Sequence, residues 1–130
     1  LEHASNGVYS SDVVSRIKPE RLRRFFNQAA DGSASVKPEL KALITFRQLN
    51  LIENNWPIRG PFEAIFCRNV MIYFDKPTQL AILKRFAPML HANGLLFVGH
   101  SENFFHASDI FRLRGKTVYE LASTSKARVE

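Results

Sequence analysis

The chain has few of the residues on which several classes of protein depend. A single cysteine among 130 residues excludes an internal disulfide and is compatible with a reducing cytosol, so we expect a cytoplasmic protein. No run approaches the roughly 18 apolar residues of a membrane-spanning helix, so we expect no membrane insertion. The four histidines are scattered without the spacing of metal ligands, and we predict no metal site.

The sequence also lacks a Ser/His/Asp or Cys/His constellation. His100, Ser101 and Glu102 contain the letters of a triad, but consecutive residues of a strand point to opposite sides and cannot relay protons. A structural role near the rim of a site is the better interpretation. Cys67 ends an apolar run, where packing is commoner than nucleophilic chemistry.

The net charge of +6, with a pI near 9.8, permits two interpretations. One is a solvated basic face, and the other is attraction to a polyanion or an acidic partner. The basic residues cluster at 16–18 and 21–24. No aromatic-rich signature such as an RNA-recognition motif accompanies them, so we expect no nucleic-acid partner.

The first half of the chain carries weak structural patterns. Residues 1–17 resemble the tail of a helix that stops at Asn6-Gly7, followed by an irregular segment. A proline in a first turn predicts a helix from residue 18, and Asp31-Gly32 predicts a turn. From residue 36 to 51, β-branched and apolar residues interrupted by charges predict short strands.

The second half is clearer. Residues 63–67 are short and apolar, as in a buried strand, and Asp75 can cap a following helix. Asn93-Gly94 would stop that helix before a strand at residues 95–98. Gly115-Lys116 predicts a two-residue type II′ hairpin. The apolar side of the helix is expected to comprise Leu80, Leu83, Phe86, Ala87 and Leu90.

The most informative stretch is Cys67-Arg68-Asn69-Val70-Met71-Ile72, closed by Tyr73-Phe74-Asp75. It places polar side chains between the end of a predicted strand and the start of a predicted helix. This is the carboxyl edge of the sheet, where open α/β sheets bind ligands. In residue identity and spacing it resembles the CheR family, bacterial methyltransferases that esterify glutamate side chains of chemoreceptors using S-adenosyl-L-methionine. Gly99-His100-Ser101-Glu102 and residues 113–119 resemble the family too.

This resemblance implies an α/β fold, the C-terminal portion of a class I, Rossmann-like methyltransferase sheet. It would end in an antiparallel hairpin and carry a small antiparallel β-subdomain. The expected layout is a helix tail and irregular segment at 1–17, a helix and the β-subdomain at 18–43, methyltransferase domain at 44–122, and a polar tail at 123–130. A main-sheet strand is expected near residues 44–50.

No G-x-G pattern or glycine-led acidic loop occurs before residue 60. The family has an acidic, glycine-containing cofactor loop near the start of its methyltransferase domain. The resemblance therefore implies a C-terminal fragment whose missing N-terminal part would be a partner. Without that part, the strand at 63–67 would expose an apolar edge. We expect the chain alone to bind S-adenosyl-L-methionine poorly and to aggregate, dimerise or require the missing part.

The resemblance also assigns site residues. Arg68 and Asn69 would contact the cofactor, Asn50 and Leu51 its adenine end, and Tyr73 would lie beside the transferring methyl group as the catalytic residue. Each has a plainer alternative: a surface salt bridge for Arg68, a turn or cap for Asn69, a strand end for Asn50, and a core tyrosine for Tyr73.

The function implied is glutamate methyl ester formation in bacterial chemotaxis, with S-adenosyl-L-homocysteine as product. The partners would be methyl-accepting chemotaxis receptors, through their acidic cytoplasmic helices. A glutamate carboxylate, with a reference pKa of about 4.3, is already ionised at neutral pH, so no general base is needed. The alternative is a non-enzymatic receptor-binding module derived from a truncated methyltransferase.

Overall fold

The structure is a computed structural model that describes residues 1–122, and the polar tail predicted at 123–130 lies outside the described residues. The chain divides into two compact units. We call Leu1–Leu49 the N-terminal unit and the part that begins at Asn50 the C-terminal unit. In the described residues, no helix has the length and apolar character needed to cross a membrane.

The N-terminal unit contains a three-stranded antiparallel sheet of order β1-β3-β2. This is the small β-subdomain that the resemblance implies. Helix α1 ends at Gly7 with φ of 64°, as the Asn-Gly stop predicts. The elements are α1 Glu2–Asn6, β1 Val8–Tyr9, α2 Ser11–Val14, α3 Pro19–Phe25, β2 Phe26–Gln28, β3 Ala34–Val36 and α4 Pro38–Lys41.

Two expectations for this unit are wrong. Residues 8–17 are not irregular throughout, because six of them form strand β1 and helix α2. Residues 44–50 form no strand in the described structure, and Ile44 and Phe46 are 47% and 44% exposed. A strand exists through its ladder to a neighbour, and no described strand pairs with this segment. β-branched composition alone does not supply that neighbour.

The C-terminal unit is built on a four-stranded sheet of order β4-β5-β7-β6. β4 and β5 are parallel, and the remaining pairs are antiparallel, so the sheet ends in the expected hairpin. The elements are β4 Phe62–Cys67, α5 Lys76–Met89, β5 Leu90–Val98, β6 Phe111–Leu113 and β7 Val118–Leu121, with 3-10 turns at Met71–Tyr73 and Phe105–Ala107.

Helix α5 supplies much of the core of this unit. Asp75 caps it by accepting the Thr78 N–H at 2.9 Å, as predicted. Ile82, Leu83 and Phe86 are buried on its inner side. Each such burial stabilises the fold by about 1.5–3 kcal/mol before entropy is counted. The sheet and loops contribute Leu90, Leu96, Val98, Phe104, Phe111 and Tyr119 to the same cluster.

The end of α5 differs from the prediction. The helix stops at Met89, one residue after Pro88, and β5 begins at once. Proline lacks an N–H and its ring opposes the carbonyl four residues back, which accounts for the early stop. Asn93-Gly94 lies inside β5, where pairing with β4 moves from Phe62↔Leu90 to Ala64↔Leu95. The dipeptide marks a bulge there rather than a helix stop.

The hairpin turn was also predicted wrongly. The N–H groups of Arg114 and Gly115 both donate to the Val118 carbonyl, at 2.8 and 3.3 Å. Gly115 is not among the glycines with positive φ, so no type II′ turn forms. The Thr117 carbonyl accepts the Val98 N–H at 2.9 Å, which ties that residue to the end of β5. The connection is therefore longer than two residues.

Strand β4 is less buried than its apolar sequence suggested. It lies at the edge of the described sheet. Cys67 faces the core, whereas Phe66 is 69% exposed and stacks on Phe97 with ring centroids 4.4 Å apart. The apolar edge that the resemblance implies is thus present in the described residues.

Candidate active site

The carboxyl ends of β4 and β5 meet at one edge of the sheet. The two parallel strands pair Cys67 with Val98, so the residues that follow each strand emerge side by side. Arg68 and Asn69 follow β4, and Gly99 follows β5. Crevices at such edges are where open α/β sheets hold their ligands.

Asn69 and Gly99 fit against each other closely. Asn69 has φ of 61°, in the left-handed region that asparagine tolerates better than most residues. A Cβ on Gly99 would lie 2.3 Å from Oδ1 of Asn69 and 3.0 Å from Oε1 of Glu102. Only glycine allows the two strand ends to approach in this way.

Glu102 joins the two strand ends, which is a structural role near the rim of the site, as predicted for residues 100–102; its two hydrogen bonds were not predicted. The residue is 6% exposed, and its Oε1 accepts the N–H of Asn69 at 2.9 Å and that of Gly99 at 2.7 Å. The signal in the sequence was a glutamate three residues after a strand-end glycine. That spacing lets a carboxylate fold back onto backbone donors, as in a capping box.

Tyr73 is presented on a fixed turn. Met71 is fully buried beneath it, and Nε2 of Gln79 donates to the carbonyls of Met71 and Phe74 at 2.7 and 3.1 Å. The cap at Asp75 follows directly, and its hydrogen bonds to Thr78 lower the pKa of that carboxyl. The Tyr73 side chain is 81% exposed, so the alternative of a core tyrosine is wrong.

Arg68 is exposed beside Asn69. The ion pairs found in residues 1–122 join Arg112 and Arg114 to Glu120, within the β6–β7 hairpin. Arg68 takes no part in them, so the salt-bridge alternative has no support in the described residues. A guanidinium so placed can pair with a carboxylate in two-pronged geometry.

Asn50 and Leu51 lie on a separate turn. Oδ1 of Asn50 accepts the Ile52 N–H at 3.2 Å, and the Asn50 carbonyl accepts the Glu53 N–H at 3.1 Å. Asn50 therefore starts a turn rather than ending a strand, while Leu51 packs against the core. Arg85 of α5 fastens this turn by donating to the carbonyls of Glu53 and Asn54.

The structure thus gathers some predicted site residues and not others. Arg68, Asn69 and Tyr73 share the connection between β4 and α5. The side-chain hydrogen bonds of Asn50 run within its own turn. In residues 1–122, no three His, Cys, Asp or Glu side chains come together as a metal site.

Cys67 behaves as a packing residue. It is 9% exposed, and burial, helped by the nearby Glu102 charge, raises the pKa of its thiol to about 11. At neutral pH the thiol stays protonated and cannot act as a nucleophile.

Two clefts occur in the N-terminal unit. The larger, about 340 Å³, is lined by residues that include Tyr9, Val36 and Phe46. The smaller, about 220 Å³, is lined by Phe25, Leu40 and Leu43 together with Arg24, Lys37 and Glu39. Both linings are mainly apolar and include basic side chains, which suits a partner chain better than a reaction.

The fold and this edge define an α/β domain of the methyltransferase class. Residues 1–120 match the family described as "CheR methyltransferase, SAM binding domain". The chain belongs to that family, whose domain binds S-adenosyl-L-methionine, as the resemblance indicated.

Curated relatives agree with this family. A "Chemotaxis protein methyltransferase" of Klebsiella aerogenes is 50% identical over 124 residues, which cover 93% of this chain and 43% of the relative. That of Escherichia coli is 47% identical, covering 94% and 44%. "Chemotaxis protein methyltransferase 2" of Pseudomonas aeruginosa is 48% identical, covering 94% and 45%. The chain spans less than half the length of these relatives.

Proposed function

We propose that this chain is the C-terminal part of an S-adenosyl-L-methionine-dependent methyltransferase that forms glutamate methyl esters on chemoreceptors in the cytoplasm. Family membership and the relatives' names support this proposal. The observation that carries it to particular residues is the junction of β4 and β5. There Asn69, Gly99 and Glu102 bring two strand ends together beneath an exposed Arg68.

The reaction requires the protein to position the reacting groups and does not require it to transfer a proton. S-adenosyl-L-methionine supplies the activated methyl group, and the accepting glutamate is already ionised at neutral pH. The residues at this edge need only hold the carboxylate in line and keep water out. A protonated Cys67 and the absence of a catalytic triad in the sequence are compatible with such chemistry.

Arg68 and Asn69 are suited to contact the cofactor. A guanidinium pairs well with a carboxylate, either that of the cofactor's methionine portion or that of the substrate glutamate. The amide of Asn69 offers both a donor and an acceptor. The missing side chain at Gly99 leaves room for this amide at the strand ends.

Tyr73 is the residue proposed to act at the methyl group. Its turn is held by Met71 and Gln79, so an exposed ring is presented on a rigid base. The face of a phenol attracts a sulfonium charge, and the hydroxyl can orient the accepting carboxylate. Both effects depend on a fixed ring position, which the clamped turn favours.

Asn50 and Leu51 are proposed to contact the adenine end. An amide can read the amino group and ring nitrogen of adenine, and Leu51 can pack on the ring. For this, Asn50 would exchange the hydrogen bond to Ile52 for one to the cofactor. Because that exchange breaks a hydrogen bond of the turn, we expect Asn50 to contribute less to cofactor binding than Arg68 does.

The receptor partner is proposed to be recognised through its acidic helices. Helix α3 carries Arg21, Arg23 and Arg24 within one short segment. Their charge would attract an acidic surface and weaken with salt. The upstream part of the same enzyme is a second proposed partner, because the relatives are more than twice as long as their match to this chain.

A second candidate function is a non-enzymatic module that binds receptors. The apolar clefts with basic sides in the N-terminal unit favour it. The two candidates differ in the C-terminal unit, since a binding module has no use for the Asn69–Gly99 junction. Calorimetric titration of a full-length protein containing these residues with S-adenosyl-L-homocysteine separates them: heat that saturates supports the enzyme, and its absence supports the module.

A transfer assay tests the activity itself. A full-length protein containing these residues is incubated with methyl-labelled S-adenosyl-L-methionine and receptor cytoplasmic fragments. We expect label that alkali releases, because a glutamate methyl ester is base-labile. The matched control is a receptor whose accepting glutamates are replaced by glutamine, which should take no label. Alkali-stable label, or equal labelling of the control, would contradict the proposed chemistry.

A further inference from the structure

Glu102 is a buried carboxylate that hydrogen-bonds to residues of the candidate site, Asn69 and Gly99, rather than to residues of the core. Its Oε1 accepts hydrogen bonds from two backbone N–H groups, that of Asn69, which follows β4, and that of Gly99, which follows β5. We propose that Glu102 is a positioning residue that holds Asn69 in its left-handed conformation and so aims Arg68 and Asn69 at the cofactor. The cofactor part of this inference rests on the proposed function.

The conformation of Asn69 needs such support. A left-handed φ costs an L-residue energy relative to the helical or extended regions, even for asparagine. In this conformation the Asn69 N–H donates to Oε1 of Glu102 at 2.9 Å. Release of that N–H would let the backbone return to negative φ and turn the amide away.

The bond to Gly99 makes the support rigid. Gly99 donates to the same oxygen at 2.7 Å, and the Glu102 N–H returns to the Gly99 carbonyl at 3.1 Å. The turn after β5 is thereby closed on itself and fastened to the turn after β4. A carboxylate acceptor makes such bonds stronger than a neutral one would.

The burial of the charge favours this role over plain packing. Glu102 is 6% exposed, and its Oε2 is buried with no hydrogen-bond partner in the described residues. A buried carboxylate oxygen without a donor is costly. An apolar side chain would fill the space without that cost, but it could not hold two N–H groups.

Tyr119, in strand β7, provides a matched control because it supports the loop that contains Glu102. Its hydroxyl accepts the Phe104 N–H at 3.1 Å, and the residue is 4% exposed. Tyr119→Phe therefore removes a buried side-chain acceptor of a backbone N–H, as Glu102→Ala does, but one that does not touch Asn69 or Gly99. A general loss of loop order would follow from either variant.

The test follows the backbone amides of this chain by NMR. In Glu102→Ala we expect hydrogen-exchange protection of Asn69 and Gly99 to fall by about 10-fold or more. The short amide-to-Hα distance within Asn69, a mark of positive φ, should be lost. Glu102→Gln keeps an acceptor and should restore both signals in part. Tyr119→Phe should change Phe104 and leave Asn69 unchanged. An Asn69 that keeps its φ in Glu102→Ala would overturn the proposal.

Titration with S-adenosyl-L-homocysteine, with the same substitutions made in a full-length protein containing these residues, tests the consequence. We expect Glu102→Ala to weaken binding by about 10- to 100-fold, Glu102→Gln by less than about 5-fold, and Tyr119→Phe hardly at all. Equal weakening by Glu102→Ala and Tyr119→Phe would overturn the positioning role. If the unsubstituted full-length protein shows no binding, the proposed function fails, while the exchange data still decide how Asn69 is held.

Discussion

The two units of the chain differ in how they are held together. Within the N-terminal unit, Val14 and Ala34 are the buried hydrophobic residues, and short helices and two- or three-residue strands surround them. The C-terminal unit has a cluster of twelve buried residues around α5 and the four-stranded sheet. The C-terminal unit is therefore the more extensively packed of the two.

This difference indicates which unit suits each of the two proposed roles, positioning of the reacting groups and recognition of a partner. Placement of reacting groups needs a rigid support, which a packed sheet with a capped helix provides. The residues of the proposed site lie in the packed unit, on turns clamped by Gln79 and Glu102. A lightly packed unit with basic side chains suits partner recognition, which tolerates adjustment on binding.

The largest expected effect compares core substitutions in the two units. Leu83→Ala should destabilise the C-terminal unit by about 2–5 kcal/mol, because it opens a cavity at a residue that is fully buried. Val14→Ala should cost less, because it removes a smaller group and Ala34 is the other buried hydrophobic residue of its unit. Trp56, the only tryptophan, packs on Phe86 and reports unfolding of the C-terminal unit by fluorescence in urea. A shift of the Trp56 signal in Val14→Ala as large as that in Leu83→Ala would contradict this ranking.

The next prediction sharpens the assignment of the site to the packed unit. Arg68→Ala should weaken cofactor or substrate binding by about 1.5–3 kcal/mol, through lost charge-assisted hydrogen bonds. In a full-length enzyme containing these residues, Tyr73→Phe should lower turnover more than cofactor affinity, since the ring remains. Arg59→Ala, another exposed arginine of this unit, is the control. Parent-like rates for both site variants would refute the assignment.

A smaller effect concerns the pH dependence of the C-terminal unit. Burial and the Glu102 charge raise the pKa of Cys67 to about 11 from an ordinary 9.0. The folded state therefore holds this proton more tightly than the unfolded state. The stabilisation is complete below pH 9 and is lost as the pH rises towards 11. Cys67→Ala should unfold in urea with a flatter dependence on pH over this window, and an unchanged slope would refute the burial argument.

The smallest expected effect concerns the N-terminal unit. Replacing Arg21, Arg23 and Arg24 by glutamine should slow association with receptor fragments and reduce its dependence on salt. Turnover at saturating receptor should stay the same, because these residues are proposed to act in recognition alone. Kinetics at two ionic strengths measure both quantities. A loss of turnover with association intact would instead assign the helix to the reaction.

Sequence patterns predicted elements that neighbours along the chain determine. The cap at Asp75 and the stop at Gly7 depend on residues a few positions apart. The apolar side of α5 was predicted in part: Leu83 and Phe86 are buried on it, but Ile82 was not predicted and Leu90 lies in β5. The segment at 44–50 and the hairpin loop failed because pairing with a distant strand decides them. Thr117, for instance, bonds to Val98 across the sheet.

The same reasoning explains what was predicted at the site. Arg68, Asn69 and Tyr73 follow one strand, so their proximity is readable from the chain. The contact of Glu102 with Asn69 joins residues 33 positions apart and required the parallel pairing of β4 with β5. Single-sequence patterns do not contain that pairing.

The central claim is that the edge formed by β4 and β5 in the C-terminal unit holds the cofactor. Amide mapping of this chain during titration with S-adenosyl-L-homocysteine tests it most directly, because it detects even weak binding. We predict shifts concentrated at residues 68–73 and 99–102, with smaller ones at 50–52. Shifts confined to the clefts of residues 1–49, or none in a folded chain at millimolar ligand, would contradict it.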